Sequence, residues 1–285
     1  MIELRDLCYV RLGTGDLAAA ERFATDIVGL QPIRRSADRL YLRSNYRDHT
    51  LCYFRGEAKD QAVGIELKDP RGLDDAMSRL AAAGRPAVRG TRAECADRAV
   101  EDFCWFMDPT GNRIELVARP HEANRRYFPT RDAGIKGFGH IGLNTTDAAR
   151  DERFWTSLFN VRVSDWIGAA PLLRITKVHH QLALFPTKGP GVQHINHQVH
   201  DIDDIMRSWY FLQERQVKVV FGPGRHATSG GYFLYFEGHQ GMVFEYSNAD
   251  RTIIDDDDSH RPRQFPMEAA SFCVWGSKPD IAEFK

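Results

Sequence analysis

The sequence lacks a charge excess of either sign: 38 Lys and Arg stand against 39 Asp and Glu, for a formal net charge of -1. That balance offers phosphates no basic stripe, so nucleic-acid binding has no electrostatic footing. The sequence also lacks any apolar run near the roughly 20 residues that a bilayer-spanning helix needs. Its opening Met1-Ile2-Glu3-Leu4-Arg5 does not show the charged and then apolar order of a leader peptide. A cytoplasmic protein, away from membranes, is the expectation. Cysteine is sparse as well: Cys8, Cys52, Cys95, Cys104 and Cys273 are odd in number and include no Cys-x-x-Cys pair. Such spacing suits reduced, buried thiols and argues against a disulfide framework or a structural zinc site.

What the sequence does have is a globular composition, 42% hydrophobic and 27% charged over 285 residues, long enough for two medium-sized domains. Four weak repeats run along it. Each opens with an alternating strand, passes through an acidic or Thr-rich cap into an amphipathic helix, and closes with two or three more strands. The first opens from Leu7 to Thr14 and leads to a helix with Leu17, Ala20, Phe23, Ala24 and Ile27 on one stripe. The second opens from Ala62 to Leu67, and its helix, carrying Leu73, Ala76, Met77 and Leu80, stops at Gly84. The third opens from Phe138 to Asn144; Asp147 or a neighbouring Thr can cap a helix with Phe154, Trp155, Leu158 and Phe159 on one side. The fourth opens from Gln193 to Val199 and is followed by a helix burying Ile202, Ile205, Met206, Trp209 and Leu212. The second and fourth units also close alike, with Gly111 and Gly241 each four residues ahead of a glutamate, Glu115 and Glu245.

Four βαβββ units are too small to bury their faces singly, so adjacent pairs should combine. The expectation is an α+β fold of two domains, each a pair of βαβββ modules forming a curled mixed sheet around a cup, with helices outside. Residues 1–122 form the first domain, 123–136 a linker, 137–250 the second domain and 251–285 a tail. The acidic run Asp255 to Asp258 reads as solvated, and Phe272, Val274 and Trp275 suggest that the tail packs back on the second domain.

The histidines are uneven: of 11, only His49 and His121 precede residue 140. His140 and His194 hold the same phase in the opening strands of the third and fourth repeats. Strand alternation turns Ile141 and Leu143 to the helices and His140 to the cup, and likewise turns His194 inward with Ile195 and Val199 outward. Glu245, between Phe244 and Tyr246, also faces the cup. By the same alternation His197 lies on the opposite face and is structural, while His200 and His239 are surface or loop residues. The corresponding first-half positions are Tyr9, Gly64 and Glu115, so only the glutamate persists and that half reads as a metal-free duplicate. Two imidazoles and one carboxylate make the facial triad of non-haem Fe(II) oxygenases, which leaves coordination positions open.

From Leu7 to Val274-Trp275-Gly276 the chain resembles the vicinal-oxygen-chelate (glyoxalase) superfamily, and specifically its two-domain type I extradiol dioxygenases, the catechol ring-cleavage enzymes. The resemblance implies Fe(II) on His140, His194 and Glu245, with Mn(II) as the alternative because hard oxygen and imidazole ligands suit both. His180 matches the family's active-site histidine, an acid/base beside the oxygen site. His226 and Tyr235, nine residues apart, match the partners of substrate oxygen and of later intermediates. Val178 to Leu184 reads as a strand on which His180 shares a face with Leu182 and Leu184 while His179 faces away; Gly222 to His226 reads as a Gly-Arg-His turn. The implied reaction inserts both atoms of O2 into a substituted catechol and opens the ring beside the diol. Gly142 stands where some relatives carry a polar or branched side chain. Its lack of bulk either enlarges the pocket, for a bicyclic catechol for example, or reflects close backbone packing. Ser229 stands where some relatives carry an acid, which puts a substrate or proton contact there in doubt. Relatives commonly oligomerise, so a homo-oligomer is expected, although no patch specifies one. Two other readings compete. A metal-dependent lyase, epimerase or thiol transferase of the superfamily would not need His180, His226 and Tyr235, and a non-catalytic ligand-sequestering protein would not need the triad.

Overall fold

The structure, a computed structural model, describes residues 1–248, 254 and 259–284. The first repeat starts with β1 (Leu4–Thr14), and Asp16 caps α1 (Leu17–Arg22) by accepting a hydrogen bond from the amide of Ala19. That helix continues as a π-helical turn, Phe23–Val28, and ends at Gly29, whose φ of 79° suits a residue without a side chain. Strands β2 (Gln31–Arg35), β3 (Arg39–Arg43) and β4 (Leu51–Arg55) complete the unit. The second repeat comprises β5 (Gln61–Leu67), α2 (Leu73–Ala82), β6 (Val88–Arg89), α3 (Arg92–Arg98), β7 (Val100–Met107) and β8 (Arg113–Pro120).

The third repeat is β9 (Ile135–Thr145), α4 (Ala148–Leu158), β10 (Arg162–Ile167), β11 (Ala170–Arg174) and β12 (Leu182–Pro186). Asp147 is the residue that caps α4. The fourth is β13 (Val192–Val199), α5 (Ile202–Glu214), β14 (Val219–Arg225), β15 (Tyr232–Glu237) and β16 (Val243–Asn248). Strand β17 (Arg263–Phe265) and helix α6 (Ala269–Phe272) follow. As the repeats predict, the units combine in pairs. An eight-stranded sheet has the order β2-β3-β4-β1-β5-β8-β7-β6, and a nine-stranded sheet the order β14-β15-β16-β13-β9-β12-β11-β10-β17. Both are mixed. The two opening strands lie antiparallel at the centre, β1 on β5 and β9 on β13, and each is flanked by the parallel closing strand of its own unit.

The alternation of the opening strands separates two kinds of surface. Val10, Ile65, Ile141 and Ile195 face the helices and join one core cluster with Leu17, Leu80, Trp155 and Leu212, a cluster that runs from the first half into the second. Helices at the join explain its continuity: Phe23 after α1 packs on Phe244 of β16 at 6.0 Å, and Phe159 after α4 packs on Phe106 of β7 at 6.2 Å. Two smaller clusters fill the cups: Cys8, Tyr9 and Phe103 in the first, and Tyr235 of β15 with the tail residues Phe272 and Phe284 in the second.

Several elements depart from the sequence expectation. Helix α3 lies outside the four helical stripes of the sequence, and Thr91 and Glu94 form a reciprocal capping box at its start. On α5, Ile202, Met206 and Trp209 are only half-buried, while Asp204 and Ser208 are buried. Asp204 completes a capping box with Asp201, and the Ser208 hydroxyl accepts a 3.0 Å bond from Arg131. In the tail, Phe272 packs into the second cup together with Ile281 and Phe284, but Val274 and Trp275 remain 55% and 50% exposed. The acidic run Asp255 to Asp258 lies outside the described residues.

Candidate metal centre

Among the described residues, one group of three ligand-type side chains converges: His140, His194 and Glu245. They stand on β9, β13 and β16, three adjacent strands of the nine-stranded sheet, and their relative exposures are 4%, 1% and 0%. His140 Nε2 lies 3.0 Å from His194 Nε2 and 2.8 Å from Glu245 Oε2, and His194 Nε2 lies 3.6 Å from that same oxygen. Ligands held at right angles about 2.1 Å from an ion sit about 3.0 Å apart, so the spacing matches one shared face of an octahedron. Glu245 Oε2 accepts no hydrogen bond despite its burial. A lone pair aimed at a ligand position rather than at a donor explains that orphan.

The protonation states also suit a cation. Burial and the neighbouring His140 push the His194 imidazole down to about 3, so it is neutral. Its Nδ1–H donates to Gln193 Oε1, which commits Nε2 to the ligand position. Burial raises the Glu245 carboxyl, but the facing imidazoles of His140, His226 and His194 outweigh it and hold the group well below the usual carboxylate range.

Around the triad the structure places the other three expected residues, each from a neighbouring segment. Tyr235 on β15 is the register partner of Glu245. Its hydroxyl lies 3.3 Å from His226 Nε2, and that nitrogen lies 3.4 Å from Glu245 Oε1. His226 Nδ1 donates to the carbonyl of Phe272 at 2.9 Å, so its Nε2 is left for the site. The His180 ring stands 4.3 Å from that of His140. All three line a cavity with His140, His194, Phe185 and Phe284. Burial pushes His180 well below the usual imidazole range and Tyr235 well above the usual phenol range, with His140 and Glu245 adding to the respective shifts.

Local expectations need correction here. His180 does not share a strand face with Leu182 and Leu184. Strand β12 starts only at Leu182, its cavity-lining residues are Ala183 and Phe185, and His180 is carried by the preceding bend. His179 does not simply face away, because its Nδ1 lies 2.9 Å from Nδ1 of His180. Gly222 to Arg225 is the end of β14, paired with β15, rather than a turn; the turn follows His226. Gly142 does not enlarge the pocket: a Cβ there would lie 2.5 Å from His194 Nδ1, so close approach of the ligand ring is what excludes a side chain. Phe272 packs on the second domain as the tail composition suggests, but its place in the cavity, and those of Phe284 and of Gln193 behind His194, carry no signal in the sequence. No periodicity ties a tail aromatic to a cup built a hundred residues earlier.

The first cup shows the same frame with different chemistry. Tyr9 OH donates to Glu115 Oε2 at 2.7 Å, and Arg98 of α3 grips both carboxylate oxygens at 2.7 Å. A guanidinium thus supplies the positive charge beside the one glutamate that both halves share. A Cβ on Gly64 would lie 2.5 Å from the Tyr9 ring, so tyrosine at the His140 position requires glycine at the His194 position. This cup contains a cavity of about 890 Å³ lined by Arg11, Arg39, Arg98 and Arg113, whereas the triad cavity is only about 20 Å³, room for one water. The larger cavity also reaches Leu143, Pro190 and Val192 of the second half, and the tail residues Phe272 and Phe284 line the smaller one.

Residues 137–246 match the model of the glyoxalase/bleomycin resistance protein/dioxygenase superfamily. The whole chain is similar to an iron-dependent extradiol dioxygenase of Rhodococcus jostii strain RHA1, 27% identical across 96% of this chain and 97% of that one. It is also similar to a 1,2-dihydroxynaphthalene dioxygenase of Sphingobium xenophagum, 25% identical over 86% of this chain and 89% of the relative. Among solved structures, BphC, a halotolerant catechol dioxygenase, superposes with a TM-score of 0.87 at 24% identity, covering 99% of this chain and 97% of its own.

Proposed function

We propose that this chain, whose residues 137–246 belong to the glyoxalase/bleomycin resistance protein/dioxygenase superfamily, is an Fe(II)-dependent extradiol dioxygenase. It inserts both atoms of O2 into a substituted catechol and opens the ring beside the diol. The observation that carries this reading is the convergence of His140, His194 and Glu245 on one point, with His180, His226 and Tyr235 around the same cavity. A metal-dependent lyase, epimerase or thiol transferase of the superfamily would have no need of His180, His226 and Tyr235.

In this reading His140, His194 and Glu245 hold the ion, and Mn(II) is accepted by the same donors. Bound Fe(II) would supply open positions for two catechol oxygens and for O2, a path by which the catechol's own electrons reach O2, and a net positive charge that one carboxylate does not cancel. His180 takes and returns protons beside the oxygen side of the site. His226, fixed by the Phe272 carbonyl, offers Nε2 to a substrate oxygen, and the Tyr235 hydroxyl donates to the charge that develops there. Phe185, Phe272 and Phe284 exclude water and form the wall against which an aromatic ring packs. With about 20 Å³ of free space, the tail aromatics must shift when a ring enters.

The proposal extends to the organisation of the chain. Residues 1–122 form a metal-free domain, 123–136 a linker, 137–250 the catalytic domain and 251–285 a tail over its cup. A cytoplasmic setting is supported by five buried, free cysteines, and no helix among the described residues is long and apolar enough to cross a membrane. A homo-oligomer is the expectation from the resemblance. The experiment is direct: protein purified anaerobically carries about one Fe(II) per chain and consumes O2 when given a catechol, turning the solution yellow. Stoichiometric zinc, with no oxygen uptake over a panel of catechols after iron loading, would favour the lyase reading.

A further inference from the structure

We infer that Asp165 and His179 are positioning residues that fix the tautomer of His180, with Nδ1 protonated and Nε2 presented to the cavity as a proton acceptor. What that acceptor does rests on the oxygenase reading; its geometry does not. Asp165 lies on β10 with no exposed surface, and His179 is equally buried. Asp165 Oδ1 accepts from the Arg263 backbone amide at 2.7 Å and from its Nε at 3.1 Å. Asp165 Oδ2 accepts from Arg263 Nη2 at 2.6 Å and lies 2.9 Å from His179 Nε2.

Proton counting then runs in one direction. Arginine keeps all its protons, so Asp165 beside it is an ionised group that can only accept. The proton in the Asp165–His179 contact therefore belongs to His179 Nε2. Burial holds His179 below the usual imidazole range despite Asp165, so the ring is neutral and its Nδ1 carries a lone pair. His180 Nδ1, 2.9 Å away, has to be the donor. Nε2 is then the one nitrogen of His180 left for a substrate. A catechol hydroxyl that loses its proton breaks an O–H bond and forms an N–H bond at Nε2, while Nδ1–H stays where it was. Asp165 remains ionised and faces the positive charge that this creates, the role a buried carboxylate plays behind a catalytic histidine. The tail takes part, since Arg263 lies on β17, which pairs with β10.

The substitution Asp165→Asn tests the claim because it reverses the chain of donors. The amide oxygen stays with the Arg263 backbone N–H, and the amide nitrogen turns to His179 Nε2. Arg263 Nη2 can turn wholly to the Thr228 carbonyl, which it already holds at 2.7 Å. His179 must then carry its proton on Nδ1, and His180 must carry its own on Nε2. Long-range nitrogen–proton correlation spectra of zinc-loaded protein with isotopically labelled histidine read the tautomer directly. The native protein should show His180 protonated on Nδ1 and the variant on Nε2. In the iron-loaded variant kcat should fall by about a hundred- to ten-thousand-fold with metal content and KM near native. Should that variant fail to fold, His179→Phe leaves His180 Nδ1 without its acceptor and should give mixed tautomers with lowered kcat. A folded, iron-bearing variant of either kind with the native tautomer, or with kcat within twofold of native, overturns the inference. If the native iron-loaded protein cleaves no catechol, the oxygenase reading fails instead, and the spectra still decide whether Asp165 sets the tautomer.

Discussion

At position 142 a methyl group would fall 2.5 Å from Nδ1 of His194, so the residue tests whether the triad is preorganised by its surroundings. Gly142→Ala should weaken iron retention by about ten- to a hundred-fold, as loss of a supporting contact does, without widening the range of catechols accepted. Competition with a chelator checks this; native retention combined with better turnover of bulky catechols would return Gly142 to the substrate pocket. The ligands and the acid/base residue separate in the same assay. His194→Ala should abolish metal retention, whereas His180→Ala should keep the metal and lose about a hundred- to ten-thousand-fold in kcat. Both variants at native activity would place the site elsewhere. Residue-scale legibility was uneven for a physical reason. His140, His194 and Glu245 announce themselves because repeat phase and strand alternation fix the face each occupies. Gln193 and Asp165 do not, because a hydrogen-bonding support is defined by distance in three dimensions and carries no period. His179 lies beside His180 in sequence, yet alternation misplaces both, since neither is on a strand.

Among the elements, α3 and the tail decide what each cup can do. Arg98 at the end of α3 neutralises the buried Glu115, whose carboxyl burial would raise but Arg98 holds below its ordinary value. A carboxyl depressed on folding contributes stability above its unfolded value of about 4.3, and that contribution is lost as pH falls through the folded value. Arg98→Ala removes the two 2.7 Å bonds to the buried carboxylate and leaves it only the Tyr9 hydroxyl and the half-buried Arg113 at 3.1 Å, at a cost of up to about 3–5 kcal/mol. The deficit should be largest at neutral pH and shrink in acid as Glu115 takes up a proton. Urea titrations at the two conditions check this, and a loss independent of pH would contradict it. In the second cup Phe284 is 4% exposed and packs on Phe272 at 4.8 Å. Phe284→Ala should cost about 3–5 kcal/mol and lower KM for bicyclic catechols by opening the cavity; lost stability with unchanged KM would remove Phe284 from the substrate wall. The four βαβββ units were legible from their helical stripes. Helix α3 was legible in principle through Thr91 and Glu94, but a seven-residue helix offers almost no apolar period.

At the scale of the whole molecule, the pairing of repeats into two sheets follows from apolar faces that single units cannot bury. How the sheets meet was not legible, because it depends on aromatics such as Phe23, Phe106 and Phe159 reaching across. Their cluster is continuous between the halves, so calorimetry should show one cooperative transition, and two well-separated transitions would contradict a shared core. Duplication then left one frame with two outcomes: an arginine beside the glutamate of one cup, and two histidines beside that of the other. The measurement that bears most directly on the proposed chemistry is turnover of a substituted catechol by iron-loaded protein under isotopically labelled O2, with mass analysis of the product. A ring-opened product carrying both labelled atoms is the predicted result; an intact ring with no oxygen consumed, from protein that retains its iron, would contradict it.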